Sequence, residues 1–160
     1  MAQDIDRLIA ALRLAPHPEG GYYRRIHASR VEVTCAGRVR PAMTAIQFLL
    51  RQGQCSRWHR VDADEGWHWR EGGPLKLQVF DPQEDALRTL ELGPHATGLA
   101  VVPAGHWQRA WTEAAYALVD CTVAPGFVWE GFALLDAAPE IAERLHALGA
   151  ADAGHGDPSP

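Results

Sequence analysis

No apolar run in the chain approaches the roughly 20 residues that a membrane-spanning helix needs, so membrane insertion is not expected. The N-terminus carries Asp4, Asp6 and Arg7 where an export signal would be apolar, which makes the cytoplasm the expected location. Cysteine is scarce: Cys35, Cys55 and Cys121 form no metal-binding pair by spacing, and an odd number of thiols suits a reducing compartment better than a disulfide framework. They are expected to be small core residues. Positive charge is also short, with 15 Lys and Arg against 20 Asp and Glu and a net charge of −5. That balance opposes a polyanion's field, and the basic residues are scattered rather than striped, so nucleic acid is not an expected partner. Arg24, Arg25, Arg38 and Arg40 are the exceptions, enough for a local anion site. There is no internal repeat.

What the chain does have is enough length for one core. Its 160 residues fit a single domain that buries about 70% of the surface of the unfolded chain. Hydrophobic residues make up 47% and charged residues 22%, the balance of a globular protein. Ile5, Leu8, Ile9 and Leu12 recur at helical spacing, with Asp4 as a cap and an end before Pro16. Ile141, Leu145 and Leu148 after Pro139 predict a closing helix. Between them the pattern is of short strands: 31–34, 43–50, 57–62, 75–80, 87–92, 99–102, 108–111, 118–123 and 128–134, punctuated by Gly and Pro. Tyr22 to Ile26 alternates as a further strand after the turn at Gly20 and Gly21. Many strands without alternating helices predict an all-β antiparallel sandwich or barrel. The expected domain is 1–149, and the Gly-, Pro- and Asp-rich stretch 150–160 is expected to be a disordered tail.

The informative segment runs from Gly53 to Gly72, "GQCSRWHRVDADEGWHWREG". Strand alternation puts His59 and Val61 on one face, about 6.6 Å apart. A tight turn through Asp62 to Asp64 would return Glu65 toward that face on the next strand. An imidazole and a carboxylate converging there can ligate a metal, or serve as a base and its orienting partner. The segment resembles the first motif of the cupin superfamily: Gly, five residues, His, one residue, His, three or four residues, Glu, six residues, Gly. Gly53, His59, Glu65 and Gly72 hold those places, with Val61 where the second histidine belongs. Pro103, Ala104 and Gly105 are similar to the start of the second motif, with Gln108 in the place of its histidine and Thr112 in that of a frequent asparagine. "HPEGGYYRR", "TAIQFLL", "VPAGHWQ" and "CTVAPGF" extend the resemblance over roughly Leu14 to Leu134, to a small uncharacterised cupin family whose relatives include the dTDP-sugar epimerases. The fold this implies is the cupin double-stranded β-helix, a jelly-roll barrel with short N- and C-terminal helices.

In metal cupins three histidines and one glutamate hold the ion. Valine has no lone pair, and an amide oxygen is a weaker donor than imidazole. No cofactor is therefore expected, a divalent metal on His59, Glu65 and Gln108 being the alternative. His68 falls on the outer face by parity, and His106 lies a pleat behind Gln108. In the epimerases that the chain resembles, a histidine abstracts a proton beside a carbonyl and a tyrosine returns one. His59 is the candidate base, and Glu65 or Asp64 could hold its ring. Tyr22, Tyr23 and Tyr116 are the available acids, with no spacing rule to choose among them. The resemblance further implies that Glu19, Tyr23 and Arg24 close one end of the barrel, Arg24 favouring an anionic group. Trp67 and Trp69 share the inward parity of Glu65 and are placed near the ligand, while Trp58, Trp107, Trp111 and Trp129 are expected to be core or interface bulk. Gln108 either touches ligand or bridges strands. The resulting expectation is a small-molecule-binding cupin acting as a metal-independent isomerase or epimerase on a sugar derivative or organic acid. A non-catalytic binding module and a metal-dependent enzyme remain the alternatives, and pairing as a homodimer is expected because edge strands need cover.

Overall fold

The structure, a computed structural model, describes residues 2–150. Helix α1 (Ala2–Leu12) leads into β1 (Ala15–Pro16), β2 (Tyr22–Ala28), β3 (Glu32–Cys35), β4 (Arg38–Pro41) and β5 (Thr44–Arg51). Then come β6 (His59–Val61), β7 (Asp64–Gly72), β8 (Leu75–Asp81), β9 (Ala86–Leu92), β10 (Leu99–Val102), β11 (Trp107–Trp111) and β12 (Tyr116–Ala124). After β13 (Phe132–Leu134) the chain closes with α2 (Pro139–Ala147). The strands pair antiparallel in a six-stranded sheet, β1-β2-β5-β12-β7-β10, and a five-stranded sheet, β13-β6-β11-β8-β9, with β3 and β4 as a separate hairpin. The strand pattern implied an antiparallel sandwich or barrel, and the cupin resemblance implied this jelly-roll architecture.

Both faces of the central strands are buried, which explains their nearly unbroken apolar sequences. In β5, Phe48 and Leu50 point between the sheets, while Leu49 turns outward into a second cluster with Ile5, Leu14 and Leu118. In β8, Leu75, Leu77 and Val79 face inward, and Phe80 joins Trp58, Trp107, Ile141 and Leu145 outside. Each helix thus covers the outer face of one sheet. Trp67, Ala110, Val119 and Cys121 complete the inner core.

Several boundaries differ from those expected, each for a local reason. Asp4 is not the cap of α1 but sits in its first turn, where its charge still favours the helix dipole. Leu148 caps α2 and is exposed instead of packing with Ile141 and Leu145. The strand expected over 128–134 is only β13, because Trp129–Gly131 forms a 3-10 turn. A side chain at Gly131 would collide with the Asp62 carboxylate, its Cβ 2.2 Å from Oδ1, so this turn can approach the β6–β7 connection only at a glycine. The turn through Asp62 to Asp64 does not make a hairpin: β6 and β7 lie in opposite sheets. Of the tail expected over 150–160, Ala150 is buried and donates its N–H to the Leu145 carbonyl at 3.0 Å, and 151–160 lie outside the described residues. Among the described residues no helix is long and apolar enough to cross a membrane.

The buried Arg40 ties these parts together. Its Nη1 and Nη2 donate to the two Asp62 oxygens at 3.1 and 3.0 Å, and its Nε donates to the Gly126 carbonyl at 2.6 Å. Arg40 is enclosed whereas Asp62 reaches solvent, so the two partners are not equivalent. Replacing Asp62 with Ala strands a buried guanidinium and is expected to cost about 3–5 kcal/mol, while Arg40→Met releases a carboxylate that water can reach and should cost clearly less. Urea denaturation of both variants reads the difference; equal costs would show that the burial asymmetry has no energetic weight.

Candidate functional site

The inner core fills one end of the sandwich and leaves the other hollow. The cavity spans about 680 Å³ with the open space at its mouth included. The turn after β1, strands β2, β5, β6, β7 and β12, and the stretch from Phe127 to Phe132 line it. The turn after β1 brings in His17 and Glu19. It is closed by the Gly20 N–H donating to the His17 carbonyl at 2.9 Å and the His17 N–H donating to the Gly21 carbonyl at 3.0 Å. Gly21 has φ 72° and lies so near Leu49 that a Cβ there would stand 2.8 Å from its carbonyl oxygen, so this return is restricted to glycine. Strand alternation then sends Tyr23 and Arg25 of β2 inward, opposite Phe48 and Ile46 of β5, which line the same space. His59 and Val61 enter from β6 in one sheet and Glu65 from β7 in the other. Phe127, Trp129 and Phe132 form an aromatic wall in which rings meet edge to face at 4.9–5.9 Å.

His59 and Glu65 therefore converge, but across the sandwich rather than along a hairpin. The nearest carboxyl to His59 is Glu19, whose Oε2 lies 3.1 Å from Nε2. The other ring nitrogen, Nδ1, is 2.8 Å from the Arg57 carbonyl, an oxygen that only accepts, so Nδ1 carries the hydrogen. In a neutral ring Nε2 is then a lone pair, and its contact with Glu19 needs one proton between them. Burial supplies the preference for where that proton rests. It lowers the His59 imidazole to about 4 and raises the Glu19 carboxyl well above its usual range, the neighbouring Glu65 adding to the latter. The pair is thus a carboxylic acid donating to a neutral imidazole. His17 accepts the Glu19 backbone N–H at 3.2 Å through Nδ1, and burial lowers it to about 4 as well, with His59 contributing.

Glu65 is held from the side. Gln108 on β11 stands in register beside His59, donates through Nε2 to Glu65 Oε2 at 2.5 Å and accepts the Trp67 indole N–H on Oε1 at 2.8 Å. Burial raises the Glu65 carboxyl to about 7 despite the opposing hydrogen bond from Gln108. Because an indole N–H only donates, Trp67 fixes the amide so that its NH₂, not its oxygen, faces Glu65. The motif positions therefore present a valine methyl and an amide N–H where a metal would need lone pairs, and they do not fit one. Among the described residues no group of three His, Cys, Asp or Glu side chains is arranged to hold an ion.

The other expected site residues are divided by strand parity. Glu19 and Tyr23 line the cavity, as expected for that end of the barrel. Arg24 is on the opposite face of β2, donating to Gln47 at 3.1 Å, and the arginine in the cavity is Arg25, which counting by twos from Tyr23 would have found. Trp67 and Trp69 point inward but belong to the packed end; Trp69 donates to the Gly73 carbonyl at 3.1 Å. Trp129, expected as bulk, is half exposed and lines the cavity. Asp64 does not hold the His59 ring but accepts the Ala104 N–H at 2.9 Å. Of the tyrosines, Tyr22 lies against Arg51 and the α1 cluster, and Tyr116 bonds Glu71 at 3.3 Å, leaving Tyr23 as the one at the cavity. His68 bonds Thr122 at 3.0 Å and His106 pairs with Asp81 at 3.2 Å, both outside it. His17 had no signal beyond its place in "HPEGGYYRR".

The family described as Cupin superfamily (DUF985) matches residues 6–135. A hypothetical protein from Leishmania major is 30% identical, with 89% of this chain and 96% of that one covered and a TM-score of 0.77. A protein from Shewanella oneidensis is 32% identical, covering 86% and 92% with a TM-score of 0.74. The fold likeness extends to oxalate decarboxylase of Bacillus subtilis, at 16% identity, a TM-score of 0.59, and coverage of 84% of this chain and 34% of that one. No curated protein matches the chain.

The raised Glu65 carboxyl makes a signed prediction. Folded Glu65 holds its proton to about 7 whereas an ordinary glutamate releases it at 4.5, so its contribution to stability is complete below 4.5 and is lost as pH rises through 7. The buried histidines act oppositely, losing stability as pH falls from 6.5 toward 4. Glu65→Gln removes the first effect, together with the smaller upward push of Glu65 on Glu19, so the variant should gain on the wild type by up to roughly 3 kcal/mol between pH 4.5 and pH 8. Denaturation curves at a series of pH values test this, and a pH-independent difference would mean that Glu65 titrates normally.

Proposed function

The chain belongs to the family described as Cupin superfamily (DUF985), and from that premise we propose that its cavity moves protons on a small bound molecule without a metal. The coarse part, a small-molecule-binding cupin, follows from family and fold. The chemistry rests on one observation: Glu19 Oε2 lies 3.1 Å from His59 Nε2 inside a cavity that Glu65 enters from the opposite sheet, a contact that calls for one proton between the two groups. His59 was expected to be the base acting alone. With Nε2 bonded to Glu19, it works through that carboxyl, the pair storing one proton that it gives up or takes back. Glu65, ionising near 7, handles the second, close to the value at which a general base is most effective at neutral pH.

For a ligand with a C–H next to a carbonyl, one carboxylate removes the carbon-bound proton while the other side protonates the carbonyl oxygen. Reversal on the other face or at the neighbouring carbon gives an epimer or isomer. Tyr23 is the further acid available at the cavity. The proposed substrate class is a sugar derivative or an organic acid, in keeping with the resemblance to the dTDP-sugar epimerases, and the aromatic wall supplies a flat apolar surface for it. A non-catalytic binding protein is the second reading, because Glu19 and His59 also satisfy one another with no ligand present. Pairing of two chains belongs to the same proposal, supported by the exposed Leu99 and Val101 on the edge strand β10.

The test begins with a thermal-shift screen over sugar nucleotides, sugar acids and small dicarboxylates. Ligands that stabilise the protein are then incubated with it in deuterium oxide and followed by proton NMR. Loss of a C–H signal beside a carbonyl is expected, slowed about 10²–10⁴-fold by His59→Asn and by Glu65→Gln with binding retained. Tight binding without exchange, for every ligand found, would leave the binding-protein reading standing alone.

A further inference from the structure

Arg25 is the one group lining the cavity whose charge is fixed at all ordinary pH values. Burial raises the Glu19 and Glu65 carboxyls and lowers the His17 and His59 imidazoles, so each favours its neutral form, and none of the four pairs with the Arg25 guanidinium. Nor does the rest of the protein: among the described residues, no carboxylate or carbonyl pairs with the Arg25 guanidinium, and none hydrogen-bonds the Tyr23 hydroxyl. The two residues are one pleat repeat apart on the same face of β2, about 6.6 Å along the strand. Their partners across the sheet, Ile46 and Phe48, are apolar, offer neither donor an acceptor side chain, and line the same cavity. Arg25 and Trp129 are exposed as well as lining, so both stand where the cavity opens.

We propose that this mouth is an oxyanion subsite, in which the Arg25 guanidinium and the Tyr23 hydroxyl hold the carboxylate or phosphate of the ligand. The ligand is then an acid whose charged end stays at the mouth while its carbonyl-bearing part reaches Glu65 and the Glu19–His59 pair. A planar guanidinium offers two parallel N–H donors to such a group, and a phenol adds a third. Neutral sugars lack the group these donors need, and cations meet a fixed positive charge at the entrance. The inference deepens the proton-transfer reading and rests on it for the fate of the ligand past the mouth, but not for binding itself.

Calorimetric titration with malonate, inorganic phosphate and malonamide tests it without requiring turnover. Malonate or phosphate should bind the wild type and malonamide should not, and the preferred anion identifies the natural group as carboxylate or phosphate. Arg25→Gln is expected to weaken anion binding about ten- to hundredfold, Tyr23→Phe by less, and Arg25→Lys should retain part of the affinity. Arg25 makes no contact that folding needs, and Arg24→Gln, removing the same charge from the opposite face, should bind as the wild type does. Unchanged affinity in Arg25→Gln, equal binding of malonamide, or no binding of either anion to the wild type overturns the subsite. His59→Asn should still bind the anion; if it loses deuterium exchange while Arg25→Gln loses nothing, the subsite fails and the proton-transfer reading stands.

Discussion

Four ionisable side chains, His17, Glu19, His59 and Glu65, share one largely apolar enclosure, and the cost of burying charge governs how they are arranged. Among the described residues none of them forms an ion pair with a lysine or arginine. The solution is to keep protons on the carboxyls and off the imidazoles, and to give each polar atom a neutral partner. Glu19 donates to His59, His59 to the Arg57 carbonyl, and Gln108 to Glu65. Groups held in this way are poised to exchange protons with a guest. The same physics favours the neutral form of each of the four groups, and in the proposed anion subsite the arginine at the rim sets the preference.

Gln108 shows how a site that resembles a metal centre is turned to another use. An imidazole in its place would carry a lone pair inward; the amide is locked by Trp67 on one side and carries its N–H toward Glu65 on the other. Val61 removes the second ligand and contributes a methyl surface to the cluster around Ala63, Val123, Phe127 and Phe132. The two replacements act together. One withdraws a lone pair, and the other turns an N–H toward Glu65, a hydrogen bond that favours the ionised carboxyl against the effect of burial.

The scaffold's contribution is to hold the hollow end open. Core residues from both sheets fill the space around Trp67 and Phe48, whose rings meet edge to face at 5.9 Å, and stop short of the cavity. At the open end, Arg40 clamps the β6–β7 connection to Gly126 and so anchors the loop that carries Phe127 and Trp129. The chain there is held by these hydrogen bonds together with the packing of Phe127 and Phe132 on Val61, Ala63 and Val123.

From the amino-acid sequence alone, period-two alternation with its Gly and Pro punctuation gave an all-β sandwich or barrel, helical spacing gave the two covering helices, and the resemblance of Gly53, His59, Glu65, Gly72 and Gln108 to the cupin motifs implied the jelly roll and the inward faces of His59, Glu65 and Gln108. These are properties of a strand's own neighbours, so they can be read along one dimension. Which groups meet could not be. Glu19 reaches His59 because a glycine turn folds back onto the segment before β6, 40 residues away in sequence. Arg25 replaces Arg24 because pairing with β5 decides which face of β2 is inside. Trp67 packs while Trp129 lines the opening because the core occupies only one end of the sandwich. A proton's position, a partner's identity and the boundary between core and cavity depend on distances between segments remote in the chain, and only the tertiary structure sets those.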